Sequence, residues 1–192
     1  MDPDKLREDI VFPARLRDLE LSFHSTWGLF SPREIDEGTR LLVKHIELAR
    51  DADCLDLGCG YGALGVVLAR LAPGGHTTLV DKDFVAVEFA RKNAALNGVQ
   101  NVDVQLSNGF SRVERSRFDV IAANLPAKTG KELLYLLLCD ARAHLSPGGQ
   151  LWLVTISGLR RFIERNLLEV FGNYRKVKQG RLHTVALAEL RE

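Results

Sequence analysis

Residues 56–62, Asp56-Leu57-Gly58-Cys59-Gly60-Tyr61-Gly62, place an acid and three alternating glycines after a short apolar run. Glycines at this spacing let the chain turn tightly and let a ligand approach the backbone. Gly58, Gly60 and Ala63 fit the loose dinucleotide fingerprint GxGxxG/A. A second acid, Asp81, ends the next apolar run, where a carboxylate can accept hydrogen bonds from ribose hydroxyls. These features suit more than one adenosine-containing ligand. Asp56 separates them. A pyrophosphate on this loop would meet a carboxylate at close range, which is costly. S-adenosylmethionine has no phosphate, and its ammonium and sulfonium are attracted by a nearby carboxylate. Asp56, Gly58, Cys59, Gly60, Asp81 and the adjoining Lys82 are the expected contacts, and Asp83 reads as the N-cap of the following helix.

Other constellations are weaker. Residues 127–131 resemble a phosphate loop, but Leu125 stands where its first glycine is needed and Glu132 where Ser or Thr is needed. Asp140 and His144 read as an i, i+4 surface pair. His24, His45, His76 and His183 have no catalytic partner that the sequence names. The three cysteines, Cys54, Cys59 and Cys139, show no CxxC spacing and read as buried reduced thiols, which argues against a disulfide framework or a metal site.

The elements that hold these residues follow from hydrophobic periodicity. Strands are expected at 53–57, 76–80, 102–106, 118–123 and 151–156, and helices at 62–71, 84–96, 131–145 and 159–171. Phe84, Val87, Ala90 and Ala94 share one helical face, and Pro147-Gly148-Gly149 stops the helix at 131–145. The tail at 174–190 breaks at Gly180 into two antiparallel strands. A further helix is expected at 35–49. Alternating strands and helices predict an α/β, Rossmann-like, doubly wound and mostly parallel seven-stranded sheet, with an antiparallel C-terminal strand and helices on both faces. Ligands in such sheets bind beyond the carboxyl ends of the strands, at the loops after Leu57, Val80 and Ala123. With 192 residues, 46% hydrophobic and 27% charged, the chain reads as one globular domain, with an extension and helix over 1–50 and the core over 51–192. A net charge of +1 argues against a strongly basic nucleic-acid binder but allows a local basic patch. No secretory signal or membrane-spanning run is visible, so the cytoplasm is the expected location.

Asn124-Leu125-Pro126-Ala127 follows the fourth strand, and alone it reads equally well as a turn. Taken in order with the glycine loop and Asp81, it resembles class I S-adenosylmethionine-dependent methyltransferases that modify amino nitrogens. The likeness is to the small methyltransferase domain of ribosomal RNA guanine-N2 methyltransferases. Phe30-Ser31, Ile35-Asp36-Glu37-Gly38-Thr39 and Gly130-Lys131-Glu132-Leu133 carry it further, over about residues 28–190. An exocyclic amine on a base is a poor nucleophile because its lone pair is delocalised. If the Asn124 side-chain oxygen and the Leu125 carbonyl accept its hydrogens, beside Pro126, the lone pair can turn toward a methyl group, and transfer needs orientation and electrostatics rather than a strong base.

Two departures matter. Leu125 replaces the family's first proline, and Ala127 replaces a bulky residue that could stack on a flipped base. Phe30, Trp27 or Phe110 could supply that stacking, so Phe30 and Ala127 are the expected substrate contacts. Asn108, followed by Gly109, stands where relatives often carry an acid for the adenine amino group, and Asn can accept that hydrogen bond, so Asn108, Gly109 and Asn124 join the expected cofactor contacts. The resemblance implies RNA as partner, with Arg160, Arg161, Arg165, Arg175, Lys176, Lys178 and Arg181 as a patch for phosphates. Larger members carry a second domain for substrate capture, so this chain is expected to need a partner, to dimerise or to act on a smaller substrate, and a monomer or homodimer is the expected state. A protein amide or small-molecule amine as acceptor, and a non-catalytic RNA- or protein-binding module, remain the alternatives.

Overall fold

A computed structural model describes residues 2–113, 117–126 and 129–191. The chain begins with a short helix, α1 (Pro3–Arg7), and a hairpin of β1 (Ile10–Leu16) and β2 (Leu19–Ser25). Then come α2 (Glu37–His45), β3 (Cys54–Leu57), α3 (Ala63–Leu71), β4 (Thr77–Asp81), α4 (Phe84–Leu96) and β5 (Val102–Leu106). The second half holds β6 (Phe118–Asn124), α5 (Lys131–His144), β7 (Leu145–Ile156), α6 (Arg160–Phe171), β8 (Arg175–Gln179) and β9 (His183–Glu189).

Seven strands form one sheet in the order β5-β4-β3-β6-β7-β9-β8. Neighbours from β5 through β7 are parallel, and β9 runs antiparallel to both β7 and β8. β3, within the run expected at 53–57, is fully buried in the middle, and both faces of the sheet are covered. Side-chain alternation divides the core. Val120, Ala122, Trp152, Val154, Val185 and Leu187 face α2, α3 and α4. Ile121, Ala123, Leu151, Leu153, Ala186 and Ala188 face α5 and α6. This is the expected Rossmann-like architecture.

Four local expectations are corrected. The helix expected over 35–49 is only α2. Asp36 starts it by accepting from the Thr39 N–H at 3.1 Å, and Ile46 ends it in extended backbone. Arg17 donates to the carbonyls of Val43 and Ile46, supplying partners that the helix end lacks. Pro147-Gly148-Gly149 does not stop α5, which already ends at His144. These three residues lie inside β7, whose register against β6 shifts between Phe118 and Val120. There Gly148 donates to the Leu190 carbonyl at 2.8 Å, so the segment is a sheet irregularity. Phe84 is 61% exposed although Val87, Ala90 and Ala94 on its stripe are buried, because it stands in the first turn, past the end of β4.

The fourth correction is the hairpin. Charges at 1–20 mask a period-two pattern in which Phe12, Ala14 and Leu16 of β1 and Leu21, Phe23 and Ser25 of β2 form the buried face, with Phe12 opposite Phe23 and Ala14 opposite Leu21. A two-residue connection, Arg17-Asp18, closes it with Arg17 at φ 53°, without the usual Asn-Gly signal. Pro13 sits in an outer strand opposite Ser22, where no ladder N–H is required of it. The free side of β2 is paired by two side chains, one in α4 and one at its C-cap. Asn93 accepts from the His24 N–H at 2.7 Å and donates to the His24 carbonyl at 2.8 Å. Asn97 does the same for Ser22 at 3.0 and 2.9 Å. Asp9 adds a hydrogen bond to the His24 ring at 2.8 Å and an ion pair with Lys92, whose ammonium holds the Asp9 carboxyl below the usual range.

Asn93 is fully buried and also donates to the Tyr61 carbonyl at 2.8 Å. Asn93→Ala strands backbone groups of His24 and Tyr61 away from water. It is expected to lower unfolding stability by about 2–4 kcal/mol, read as a fall in the urea midpoint at unchanged slope.

Candidate cofactor and acceptor site

The loop after β3 turns on Gly58, Gly60 and Gly62, at φ 77°, 54° and 90°. The Gly58 and Cys59 N–H groups both donate to the Val80 carbonyl at 2.9 Å, clamping the loop to the end of β4. A Cβ at Gly58 or Gly60 would meet no atom within 4 Å, so the loop backbone borders open space of the kind a ligand needs. Asp81, half-buried at the end of β4, accepts from the Gly60 N–H at 2.8 Å and from the Asp83 N–H at 3.0 Å. Lys82 is exposed beside it. Asp83 caps α4 by accepting from the Val85 N–H at 2.8 Å, as its place in the sequence predicted.

The loop after β5 joins this end of the sheet because the Ser107 N–H donates to the Asp81 carbonyl at 2.8 Å. It carries exposed Asn108 and half-buried Gly109, which lies at φ 59°. Asp81, Asn108 and the glycine loop therefore border one end of the sheet. A hollow of about 590 Å³, lined by Asp51, Ala52, Asp119 and Gln150 among others, lies at the opposite end of the strands.

Asp56 sits deeper than its position before the glycines suggests. It is 1% exposed, and its carboxylate accepts from the Gly65 N–H at 2.7 Å in the first turn of α3. That is the positive end of the helix. Burial pushes its carboxyl up to about 7, the nearby Asp81 adds to the rise, and the Gly65 hydrogen bond opposes it. The carboxylate thus lies beneath the loop, not at its rim. Cys59 is buried as expected, and burial raises its thiol well above the ordinary range. The described cysteines are free, with Cys54 buried and Cys139 half-buried.

Asn124 ends β6 and reaches toward α2. Its amide nitrogen donates to Asp36 Oδ2 at 2.8 Å and to Thr39 Oγ1 at 3.0 Å. Among the described residues nothing donates to its carboxamide oxygen. Leu125 is buried and its N–H donates to the Val154 carbonyl at 3.0 Å. Pro126 is exposed, and its carbonyl accepts from the Thr129 N–H at 3.2 Å. Ala127 lies outside the described residues.

Of the aromatic residues, Phe30 is 69% exposed. Trp27 is partly covered by the Arg33 guanidinium, 4.6 Å from its ring. Phe110 is buried against the His144 ring at 4.5 Å, which removes it as a stacking surface. His144 also meets the backbone carbonyl of Asp140 at 2.8 Å, so the expected i, i+4 pair of side chains is not made. Arg161, Arg165, Arg175, Lys176, Lys178 and Arg181 are exposed and Arg160 is half-buried.

Sequence reasoning assigned no role to Asp36, Thr39 or Tyr61. The Tyr61 ring packs edge-on against Phe12 at 6.0 Å and lies 5.9 Å from Phe23. Its hydroxyl donates toward the carbonyls of Glu34 at 3.1 Å and Ser31 at 3.4 Å. Burial pushes the phenol up. Only its place between two loop glycines marked it in the sequence. Asp36 and Thr39 carried a signal, the Asp-x-x-Thr spacing of a helix start, but nothing local pointed it at Asn124.

A doubly wound sheet with a glycine loop, a following acid and an Asn motif at its carboxyl end defines the methyltransferase class of Rossmann-like folds. The chain belongs to the methyltransferase small domain family, which matches residues 20–186. It is 36% identical over 142 residues to an uncharacterized protein of Bacillus subtilis, covering 73% of this chain and 71% of that one. It is 37% identical over 138 residues to ribosomal RNA small subunit methyltransferase C of Haemophilus influenzae, covering 70% of this chain but only 41% of the relative. Among solved structures, a T. thermophilus 16S rRNA N2 methyltransferase in complex with AdoMet and guanosine superposes with a TM-score of 0.84 at 31% identity, over 94% of this chain and 50% of that one. The chain therefore spans half or less of the length of these two ribosomal RNA methyltransferases. Among the described residues no helix is long and apolar enough to cross a membrane.

Proposed function

We propose that this chain transfers a methyl group from S-adenosylmethionine to the exocyclic amine of an RNA base, with N2 of guanine in ribosomal RNA as the acceptor. The observation that carries this reading is the Asn124 carboxamide, held by its nitrogen with its oxygen left to accept. The relative that holds AdoMet and guanosine together supports the choice of cofactor and acceptor.

The residues present fit the cofactor. Gly58 and Gly60 leave open space, and Cys59, Asp81, Lys82, Asn108 and Gly109 surround the same end of the sheet. When bound, S-adenosylmethionine supplies a methyl group activated on a sulfonium. The chain does the rest by position. Asp81 accepts from ribose hydroxyls, and Asp56 favours the cofactor's cations from beneath the loop. Asn124 Oδ1 and the Leu125 carbonyl accept the two hydrogens of the acceptor amine, turning its lone pair toward the methyl group. As the nitrogen gains the methyl it becomes cationic, both oxygens stabilise that charge, and the surplus proton leaves to solvent. Exposed Phe30 stacks on the presented base, and the basic surface of α6 and β8 holds phosphates. The chain acts as a monomer or homodimer.

Calorimetry with S-adenosylmethionine followed by labelled methyl transfer to unmodified ribosomal RNA tests this. Micromolar cofactor binding and label in guanine N2 are expected, with RNA affinity falling steeply as salt rises. Cofactor binding with label only in protein or small amines would move the acceptor to those classes. No cofactor binding would leave a non-catalytic module and overturn the reading.

A further inference from the structure

We propose that Asp36 is a positioning residue for methyl transfer, fixing which end of the Asn124 carboxamide faces the acceptor. The inference rests on the proposed function of the site. One oxygen, Asp36 Oδ2, accepts both from the Thr39 N–H at 3.1 Å and from Asn124 Nδ2 at 2.8 Å. Starting α2 requires only a short polar side chain, and Ser, Thr, Asn or Asp would serve. The bond to Asn124 asks for more. A carboxamide has two ends of nearly equal shape, one donating and one accepting. An ionised carboxylate only accepts, so a flipped Asn124 would set its carbonyl oxygen against a negative oxygen. Asp36 thereby selects the rotamer that turns the Asn124 oxygen toward the acceptor amine.

The charge has a second consequence. Transfer converts a neutral amine into a cation. An amide whose N–H donates to a carboxylate is polarised, and its oxygen becomes a stronger acceptor. Asp36 thus lends negative charge to the reacting nitrogen through Asn124 without touching it. The packing preserves this arrangement. A Cβ at Gly38 would lie 2.8 Å from Asp36 Oδ2 and 3.0 Å from the His183 ring. Any side chain there pushes the carboxylate aside, although alanine is the better helix former.

The test compares D36N, D36A and Gly38→Ala with the wild-type chain in steady-state methyl transfer to an unmodified ribosomal RNA transcript. Cofactor dissociation constant, RNA KM and thermal midpoint are measured alongside. D36N keeps the cap and the shape but can donate, which permits the flip. Its kcat is expected to fall about tenfold with KM and cofactor affinity within about twofold. D36A is expected to lose about a hundredfold in kcat, and Gly38→Ala to fall between them without loss of folded structure. A purely structural role predicts a lower thermal midpoint in D36A and no kcat change in D36N. Wild-type transfer with unchanged kcat in D36N and D36A overturns the inference alone, as does an effect confined to KM or cofactor affinity. Wild-type failure on every RNA overturns the functional reading and this inference together.

Discussion

Asn124→Ala is expected to lower methyl transfer about a thousandfold while leaving the cofactor dissociation constant within about twofold. The carboxamide oxygen is one of two acceptors that orient the acceptor amine, and alanine has nothing in its place. The separation of rate from cofactor affinity follows from the attachment of Asn124. It bonds to Asp36 and Thr39 of α2, not to the glycine loop, whose N–H groups are held by Val80 and Asp81. Loss of the side chain frees Asp36 and Thr39, both of which still have the first turn of α2 to bond, so the fold survives. The decisive measurements are a single-turnover rate and a calorimetric titration on the same preparation. A rate within tenfold of wild type would remove Asn124 from the chemistry.

Asp56→Asn is expected to act in the opposite sense on stability and on binding. A carboxyl pushed up to about 7 by burial, from 3.8 in an exposed chain, favours the protonated folded state. Its contribution to stability is complete below about pH 4 and is lost as pH rises through about 7, because the unfolded chain ionises first. Asparagine removes that pH-dependent cost and still accepts from the Gly65 N–H. The variant is therefore expected to melt higher than wild type, with the gain larger at about pH 8 than at about pH 5. Cofactor affinity should fall about tenfold, because the negative charge beneath the loop is gone. In the wild type, affinity should strengthen as pH rises through about 7, where Asp56 ionises. Differential scanning calorimetry and titration at two pH values check both halves. An unchanged cofactor dissociation constant would leave Asp56 only its bond to α3.

The sheet was legible because most of its strands are short apolar runs bounded by glycine and proline, and because helices separate the strands from β3 to β5 and from β6 to β8. Gly58, Asp81 and Asn124 could be placed for the same reason, since each stands at or just past a strand end. Two things escaped. The hairpin at 10–25 alternates at its buried positions, but its outward positions mix Val11 and Pro13 with Arg15, Glu20, Ser22 and His24, and its turn lacks a glycine. Its partners, Asn93 and Asn97, look like ordinary polar positions of a surface helix until β2 lies beside them. The orientation of Asn124 escaped because it is fixed by Asp36, 88 positions away, and periodicity carries no information about such a pairing. Asp56 was picked out by type and spacing, yet its depth depends on how closely α3 approaches β3.

The carboxamide of Asn97 also gives the molecule a chemical clock. Asn97 is followed by Gly98, the dipeptide in which an asparagine most readily cyclises and loses ammonia. In the fold its amide nitrogen is tied to the carbonyls of Ser22 and Asn93, at 2.9 and 2.8 Å, and its oxygen to the Ser22 N–H, so the ring closure has no free geometry. Deamidation on storage would therefore record how often β2 lifts off α4. Each event would put a carboxylate against the Ser22 carbonyl and make the next departure easier, so ageing of a preparation should begin at this seam and accelerate.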